Sequence, residues 1–195
     1  MVISNGYSTL AEFKLYGSIT STNTNDDSVI EDLIESASRF IDAQTGRTFY
    51  ARTETKYYDV PYGRELRLDD DLLTVTTLTN GDGTVITAAD YNLIPKNSAP
   101  YYAIKLLDTS LLRWQSSSTG GAELIISIVG TWGWVATRPD DINLACMQIA
   151  KNYYNKREGQ GTEGIAKVTA MGVVVTPAGA PMSAMQIINR YKKRT

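Results

Sequence analysis

The spacing of apolar residues changes twice along the chain, and this change constrains the fold more than any other feature. Residues 28–45 place apolar side chains three and four positions apart, which is the period of a helix buried along one side. Residues 47–135 instead carry short runs rich in Thr, Val, Tyr and Ile, which are typical of strands. The helical period returns after Pro139. We therefore predict an α+β fold, in which a small α-helical bundle contains an inserted antiparallel β-sheet and is followed by an extended C-terminal arm.

Capping residues indicate where the helices begin and end. The segments Thr9–Glu12 and Ser28–Glu31 both match a capping box, and Gly46 suits the left-handed position after a helix. Pro139, followed by two aspartates, favours the first turn of another helix. Three helices are therefore predicted, at residues 8–16, 27–45 and 139–158, with the β insertion at about 49–135. Residues 1–158 form the predicted core.

Six segments inside the insertion are predicted strands. The turn Asn80–Gly83 separates two of them and favours a hairpin, because Asn and Gly accept positive φ. The most apolar run lies within residues 123–132 and is the predicted central strand. The aspartates Asp69–Asp71 are predicted to form a solvated turn between strands. The predicted strands are residues 53–60, 65–68, 73–79, 84–87, 103–106 and 123–132.

The composition changes again after residue 158. Residues 159–195 form a predicted arm rich in Gly, Ala and Pro, which ends in a short basic helix and tail. The segment Gly159–Gly164 matches the letters of a dinucleotide-binding loop, but it follows a helix rather than a strand, so we interpret it as a hinge. The β-favouring segment Val173–Thr176 has no neighbouring strand in the sequence. It is predicted either to pair with another subunit or to fold back on its own sheet.

The chain has no histidine and a single cysteine, Cys146, in 195 residues. These absences exclude His-dependent catalysis, imidazole zinc sites and disulfides within one chain. No group of residues has the pattern of a catalytic, metal or cofactor site, so we predict a protein that is not an enzyme and has no cofactor. Cys146 falls on an apolar helix stripe and is predicted to be a core residue. No apolar stretch is long enough to span a membrane and the first residues do not resemble a signal peptide, so we expect a soluble protein made in the cytoplasm.

Charge is divided between the two ends of the chain. Residues 1–45 hold seven acidic and two basic residues, a net charge of -5. Residues 145–195 hold eight basic and two acidic residues, a net charge of +6. The two ends are expected to attract each other, either within one chain or between neighbouring copies.

The order of these segments resembles that of the head–tail connector (adaptor) family of tailed bacteriophages. The resemblance extends over residues 7–158 and begins with the acidic helix within Asp26–Phe49. It continues through short motifs in a fixed order, namely Tyr57–Asp59, Leu66–Leu68, Val75–Leu78, Tyr91–Leu93, Ile104–Leu106, Gly130–Trp134 and a helix that ends at Tyr153–Glu158.

The resemblance implies a structural virion protein at the head–tail interface, or neck, assembled in the bacterial host cytoplasm. Connectors of this family form a ring, dodecameric in the family, beneath the portal protein. The ring extends the DNA channel used in genome packaging and ejection, and it provides a docking surface for a stopper or tail protein. The expected partners are therefore the portal, further copies of this chain and the next neck protein, with genomic DNA passing nearby.

Three groups of residues are candidate interaction sites on this interpretation. The acidic face of the second helix, Glu31, Asp32 and Glu35, is expected to line the channel or to meet a neighbouring copy. Val173, Val174, Val175 and Thr176 form the predicted intersubunit arm. The predicted portal-binding residues are Met185, Ile188 and Tyr191 as apolar anchors, with Arg190, Lys192, Lys193 and Arg194 as a charged rim.

Two alternatives remain open from the sequence. One is another neck component, a stopper or a tail-completion protein. The other is a carbohydrate-binding module or enzyme on the sheet, in which Trp132 and Trp134 supply a stacking surface.

Overall fold

The computed structural model describes residues 3–157, 166–169, 172–175 and 180–193, the two short segments by their backbone only. The chain forms two compact units, one made of Met1–Gly46 with Arg138–Thr195 and the other of Arg47–Thr137. The first is helical and the second contains the main sheet. The predicted α+β class, with a sheet inserted between helices, is confirmed. The motif Gly159–Gly164 and the residues Thr176 and Arg194 lie outside the described residues.

Within its described residues, the helical unit contains four helices, close to the predicted positions. They are α1 (Leu10–Gly17), α2 (Asp27–Thr45), α3 (Asp140–Arg157) and α4 (Met182–Tyr191). Thr9 caps α1 through the predicted capping box with Glu12. Gly46 ends α2 with a φ of 66° and donates its backbone N–H to the Asp42 carbonyl, as predicted.

The bounds of α2, Asp27–Thr45, are those predicted, but its capping differs from the prediction. Asp26, and not Ser28, occupies the N-cap position. Asp26 does not cap the helix through its side chain, because its carboxylate is bonded to Tyr154 and Arg157 instead. The predicted capping box at Ser28 is therefore wrong. A tertiary contact has replaced a local one.

The apolar stripes of the helices form one core. The buried residues of α2 pack against those of α3, and α4 packs against both of these helices. The sequence grouped the last helix with the C-terminal arm, whereas the structure packs it into the helical unit, because Ala184 and Ile188 are buried. The core residues of α2 and α3 are Ile30, Ile34, Ala37, Ile41, Ile142, Ala145, Cys146 and Ile149.

The second unit is built on a six-stranded antiparallel sheet. Its strands are β1 (Arg52–Tyr58), β2 (Glu65–Thr79), β3 (Val85–Ile86), β4 (Tyr91–Ile94), β5 (Tyr101–Leu106) and β6 (Ile126–Trp132). They pair in the order β1-β6-β2-β5-β4, and β3 pairs with β2. The predicted hairpin at Asn80–Gly83 joins β2 to β3. The backbone N–H of Asn80 donates to the Thr84 carbonyl at 2.8 Å. The sequence predicted β6 to be the central strand. In the structure β6 has a partner on each side, but the middle strand of this order is β2.

One strand replaces two predicted strands and the turn between them. β2 runs without interruption through Asp69–Asp71, so the predicted solvated turn is wrong. The register shifts between Arg67 and Leu72, where the strand changes its pairing with β5. A bulge of this kind accommodates residues that break the polar–apolar alternation. One face of the sheet buries a core of Leu66, Leu72, Leu78, Ile104, Leu106, Ile126, Ile128 and Trp132.

A separate two-stranded sheet lies between α3 and α4 in the chain. Its strands are β7 (Ala166–Thr169) and β8 (Gly172–Val175), which pair antiparallel. The expectation that residues 173–176 have no neighbouring strand is therefore wrong for the described part of that segment. The fold-back alternative is also not observed, because the hairpin forms its own sheet instead of extending the larger one.

Candidate interaction surfaces

Three polar contacts join acidic side chains of the helical unit to residues far from them in the sequence. Two of the acids lie near the beginning of the chain, and the third lies at the start of α3. Arg157 donates to Asp26 at 2.9 Å, and Arg138 donates to Glu12 at 2.6 Å. Tyr191 donates its hydroxyl to Asp141 at 2.8 Å. Part of the charge division seen in the sequence is therefore neutralised within one chain.

These contacts change the acidity of the carboxyl groups. Hydrogen bonds from Arg157 and then Tyr154 hold the pKa of Asp26 below its ordinary value. Burial raises the pKa of Glu12, but hydrogen bonds from the Thr9 backbone and from Arg138 outweigh it, so the pKa is lowered. Both groups are therefore charged at neutral pH and hold their partners as ion pairs.

The three predicted acidic-face residues lie on α2 and differ in exposure. Asp32 is exposed, whereas Glu31 and Glu35 are half-buried. Glu35 lies 3.9 Å from Arg39, one turn further along the helix. Its second oxygen, Oε2, is buried without a hydrogen-bond partner in the described structure. A buried carboxylate oxygen of this kind is unfavourable unless something else satisfies it.

The predicted portal-binding residues of α4 do not form an exposed apolar surface. Ile188 is fully buried in the helical unit, and Met185 is half-buried. Tyr191 is half-buried, and burial together with its bond to Asp141 raises its pKa to about 12. Ile188, predicted to be an apolar anchor for the portal, is therefore inaccessible in the monomer, because the apolar stripe of α4 faces its own core. Arg190 and Lys192 are exposed, and Lys193 donates its backbone N–H to the Thr45 carbonyl.

The aspartates of β2 hold the main charge cluster of the sheet unit. Arg47 donates to both oxygens of Asp71 at 2.7 Å, and Lys56 donates to Asp70 at 2.9 Å. Arg52 also donates to Asp70. Burial raises the pKa of Asp70, but hydrogen bonds from Lys56 and the Asp71 amide outweigh it and lower the pKa. These carboxylates are occupied by cations of the chain itself, and within the described residues no Cys, Asp or Glu group is arranged to hold a metal ion.

The tryptophans of the sheet unit are not available as a sugar- or base-stacking surface. Trp132 is fully buried, with Lys56 lying 5.0 Å from its ring centroid. The guanidinium of Arg47 lies 4.0 Å from the ring centroid of Trp134. Sequence reasoning missed both cations because they lie more than 70 residues away in the chain. Because Trp132 ends the most apolar strand, the sequence favours a core position for it over a stacking surface, and the structure confirms the core position.

Cys146 lies in the core of the helical unit, as predicted. Its sulfur is 3.5 Å from the Ser38 hydroxyl, and burial raises its pKa to about 11. The thiol is therefore protonated and inert at neutral pH.

The profile of the family described as "Head completion protein" matches residues 8–194. The chain belongs to this family. The connector-type family predicted from the order of the motifs is thereby confirmed, and head completion agrees with the predicted place in the virion, at the head–tail interface. Each described helix of this head completion protein is too short or too polar to cross a membrane.

Solved structures of gene transfer agent (GTA) particles contain chains with the same fold. A chain from the neck of an empty particle, computed with C6 symmetry, is 20% identical with a TM-score of 0.64, covering 100% of this chain and 94% of that chain. A chain from the neck of a native particle, computed with C12 symmetry, is 20% identical with a TM-score of 0.61 and coverages of 100% and 93%. A chain from the virion of a native particle is 21% identical with a TM-score of 0.62 and coverages of 100% and 94%. A search of curated proteins gives no significant match.

Proposed function

We propose that this head completion protein is the adaptor of a phage-like neck, where identical copies form a ring beneath the portal and extend the DNA channel. One observation carries the proposal. The family profile of head completion proteins and the fold shared with neck chains both extend over nearly the whole chain. The symmetries used for the matched necks, C6 and C12, support a ring.

This role requires surfaces rather than chemistry. A ring subunit needs one contact to the next copy, one to the portal and one to the following neck protein. The two compact units of the chain each provide surface for such contacts. The family and the matched chains are structural, which supports a non-enzymatic role.

The portal contact is assigned to the basic end of the chain, from Lys192 onward. The apolar stripe of α4 is used inside the helical unit, so it cannot also anchor the portal. Lys192 is exposed beyond the last turn of the helix, and Lys193 and Arg194 follow it. A cationic segment suits an acidic docking surface.

The hairpin of β7 and β8 is assigned to contacts between copies. A two-stranded sheet alone is marginally stable, and its outer edges have backbone groups available for a further strand. Pairing with a neighbouring subunit satisfies both requirements. Val173, Val174 and Val175 lie in β8 and are the proposed edge residues.

The acidic face of α2 is assigned to the ring contact instead of the channel. Only Asp32 among its three residues is exposed, and Glu35 keeps a buried oxygen without a described partner. A cation of a neighbouring copy can pair with the exposed part of these carboxylates, whereas the DNA phosphates repel them. Reversal of Glu31, Asp32 and Glu35 to Lys should therefore break rings. Intact rings with slowed DNA ejection would support the channel instead.

Native mass spectrometry of this protein with the portal encoded in the same genome tests the adaptor role. We expect a discrete complex with one copy per portal subunit. As a control, the same chain mixed with an unrelated portal should give no complex. A ring that binds a neck protein but never the portal would favour the stopper or tail-completion alternative, and a persistent monomer in all mixtures would contradict the proposal.

A further inference from the structure

The first helix buries a charged residue and exposes its apolar neighbour. Lys14 is only 6% exposed, while Leu15 is 84% exposed. Lys14 is held inside by an ion pair with Asp27 at 2.6 Å and a hydrogen bond to the Asn23 carbonyl at 2.8 Å. The usual arrangement on a surface helix is the reverse. The outer face of α1 therefore has the character of a surface that is covered in the assembled state.

A groove lies beside Leu15 on this face. It has a volume of about 490 Å³ and is lined mainly by apolar side chains, Leu10, Ala11, Leu15 and Ile19, with Lys14 and Asp27 among its polar residues. The volume is large enough for an apolar side chain from another molecule. We call Leu15 and this groove the α1 face.

The outer side of α4 has matching properties. Met182 is 77% exposed at its start, and the exposed residues Gln186 and Asn189 continue the same stripe at helical spacing. None of the three is charged, although charged residues make up 21% of the chain. The centres of protein interfaces are depleted in charge and enriched in Met. We call this stripe the α4 face.

The two faces lie on different flanks of the helical unit. Both α1 and α4 pack against α2 and α3, but they make no substantial contact with each other in the described structure. Two unlike faces that do not contact each other within one copy are what a closed ring of identical subunits requires, since each contact joins one face to the other.

The charges beside the two faces are complementary. The first turns of α2, next to the α1 face, carry Asp27, Glu31 and Asp32, and Lys14 is the only cation lining the groove. α4 carries Arg190 and no acidic residue. The Arg190 guanidinium lies 3.9 Å from Asp141 of the same chain, but its side chain is 65% exposed and is open to a second carboxylate. A second copy placed with its α4 face on the α1 face therefore brings opposite charges together at the rim.

We infer that copies in the ring pack head to tail through these faces, with Met182 of one copy seated in the α1 groove of the next. The inference rests on the proposed ring function and names the surfaces that build it. Methionine suits this position because its flexible side chain fills irregular apolar gaps.

Cysteine cross-linking tests this contact directly. The only natural thiol, Cys146, is buried, so the unaltered chain supplies a low background. The double variant Leu15→Cys with Met182→Cys, assembled with or without the portal and mildly oxidised, should give a ladder of linked subunits on a non-reducing gel. Each single variant should remain unlinked, because an unlike-face contact pairs position 15 only with position 182. Dimers from Leu15→Cys alone would overturn the inference.

A second pair of variants separates this inference from the proposed function. Leu15→Asp should convert rings to monomers, whereas Leu111→Asp, at a residue 97% exposed in the sheet unit, should leave them intact. Both should keep the unfolding midpoint of the unaltered chain, because both residues are exposed. Rings that persist in Leu15→Asp would overturn the inference but not the proposed function. The same holds if the double cysteine variant forms rings in which positions 15 and 182 do not cross-link. The absence of rings from the unaltered chain, with and without the portal, contradicts the proposed function as well.

Discussion

The guanidinium of Arg47 donates to both carboxylate oxygens of Asp71, at 2.7 Å each, in a pair with side-chain exposures of 14% and 5%. The same guanidinium lies 4.0 Å from the ring centroid of Trp134. One arginine of the sheet unit therefore makes both a buried ion pair and a cation–π contact. Two charges buried this deeply depend on each other, because each would be unfavourable alone.

Loss of the Asp71 charge should therefore destabilise the sheet unit. Asp71→Asn leaves Arg47 buried without its counterion, and we expect a loss of about 3 kcal/mol in the free energy of unfolding. Asp69→Asn is the matched control in the same run of aspartates, and it should cost less than about 0.5 kcal/mol because the Asp69 side chain is 73% exposed. All three tryptophans lie in the sheet unit, so their fluorescence during urea unfolding measures both variants. Equal losses of unfolding free energy in the two variants would show that the pair of Arg47 and Asp71 does not stabilise the sheet unit.

Ile188, which the sequence predicted to bind the portal, is buried, so its replacement should change the stability of the monomer. Ile188→Ala should lower the free energy of unfolding by about 2 to 4 kcal/mol, because it leaves a cavity between α4 and the other helices. Met182→Ala, at an exposed position of the same helix, should leave the monomer unchanged. Thermal unfolding followed by circular dichroism distinguishes them. A stable Ile188→Ala variant that fails to bind the portal would restore the anchor assignment.

The contact between Asp26 and Arg157 predicts a measurable pKa. The pKa of Asp26 is depressed from its ordinary value of 3.8, so the contact stabilises the fold above that pH and is lost as the pH falls through the depressed value. Arg157→Gln should move the pKa of Asp26 upward, since it removes the largest cause of the depression. Carbon-detected NMR titration of the carboxyl groups gives the value, and Asp90, whose pKa is lowered by Thr87 and Ser110 instead, should not change. An unchanged Asp26 pKa would refute the pairing.

The thiol of Cys146 should be unreactive in the folded protein. Burial raises its pKa to about 11, so the nucleophilic thiolate is rare at neutral pH and also inaccessible. One thiol per chain should react with Ellman's reagent in denaturant and almost none without it. Fast reaction of the native protein would mean that the helical unit opens frequently.

The basic end should affect portal binding without affecting stability. Replacement of Lys192 and Arg194 by Ala leaves α4 complete and keeps the backbone hydrogen bond from Lys193 to the Thr45 carbonyl, so the unfolding midpoint should stay nearly constant while portal affinity falls. Replacement of the exposed Lys105 by Ala is a suitable control for the loss of a surface cation. Unchanged portal affinity in this double variant would remove the basic end from the docking surface.

The sequence by itself determined the order and approximate bounds of the helices and most strands. Local signals suffice there, since a helical apolar stripe, the Thr9–Glu12 capping box, Gly46 and the Asn80–Gly83 turn each depend on residues a few positions apart. The family followed from that order. Only the tertiary structure decided that Asp69–Asp71 continue a strand, that Asp26 binds Arg157 instead of capping α2, and that Ile188 is buried. These outcomes depend on partners distant in the chain, such as Arg47 for Asp71 and α3 for α4, and no local pattern encodes which of these partners a charge or an apolar stripe will meet.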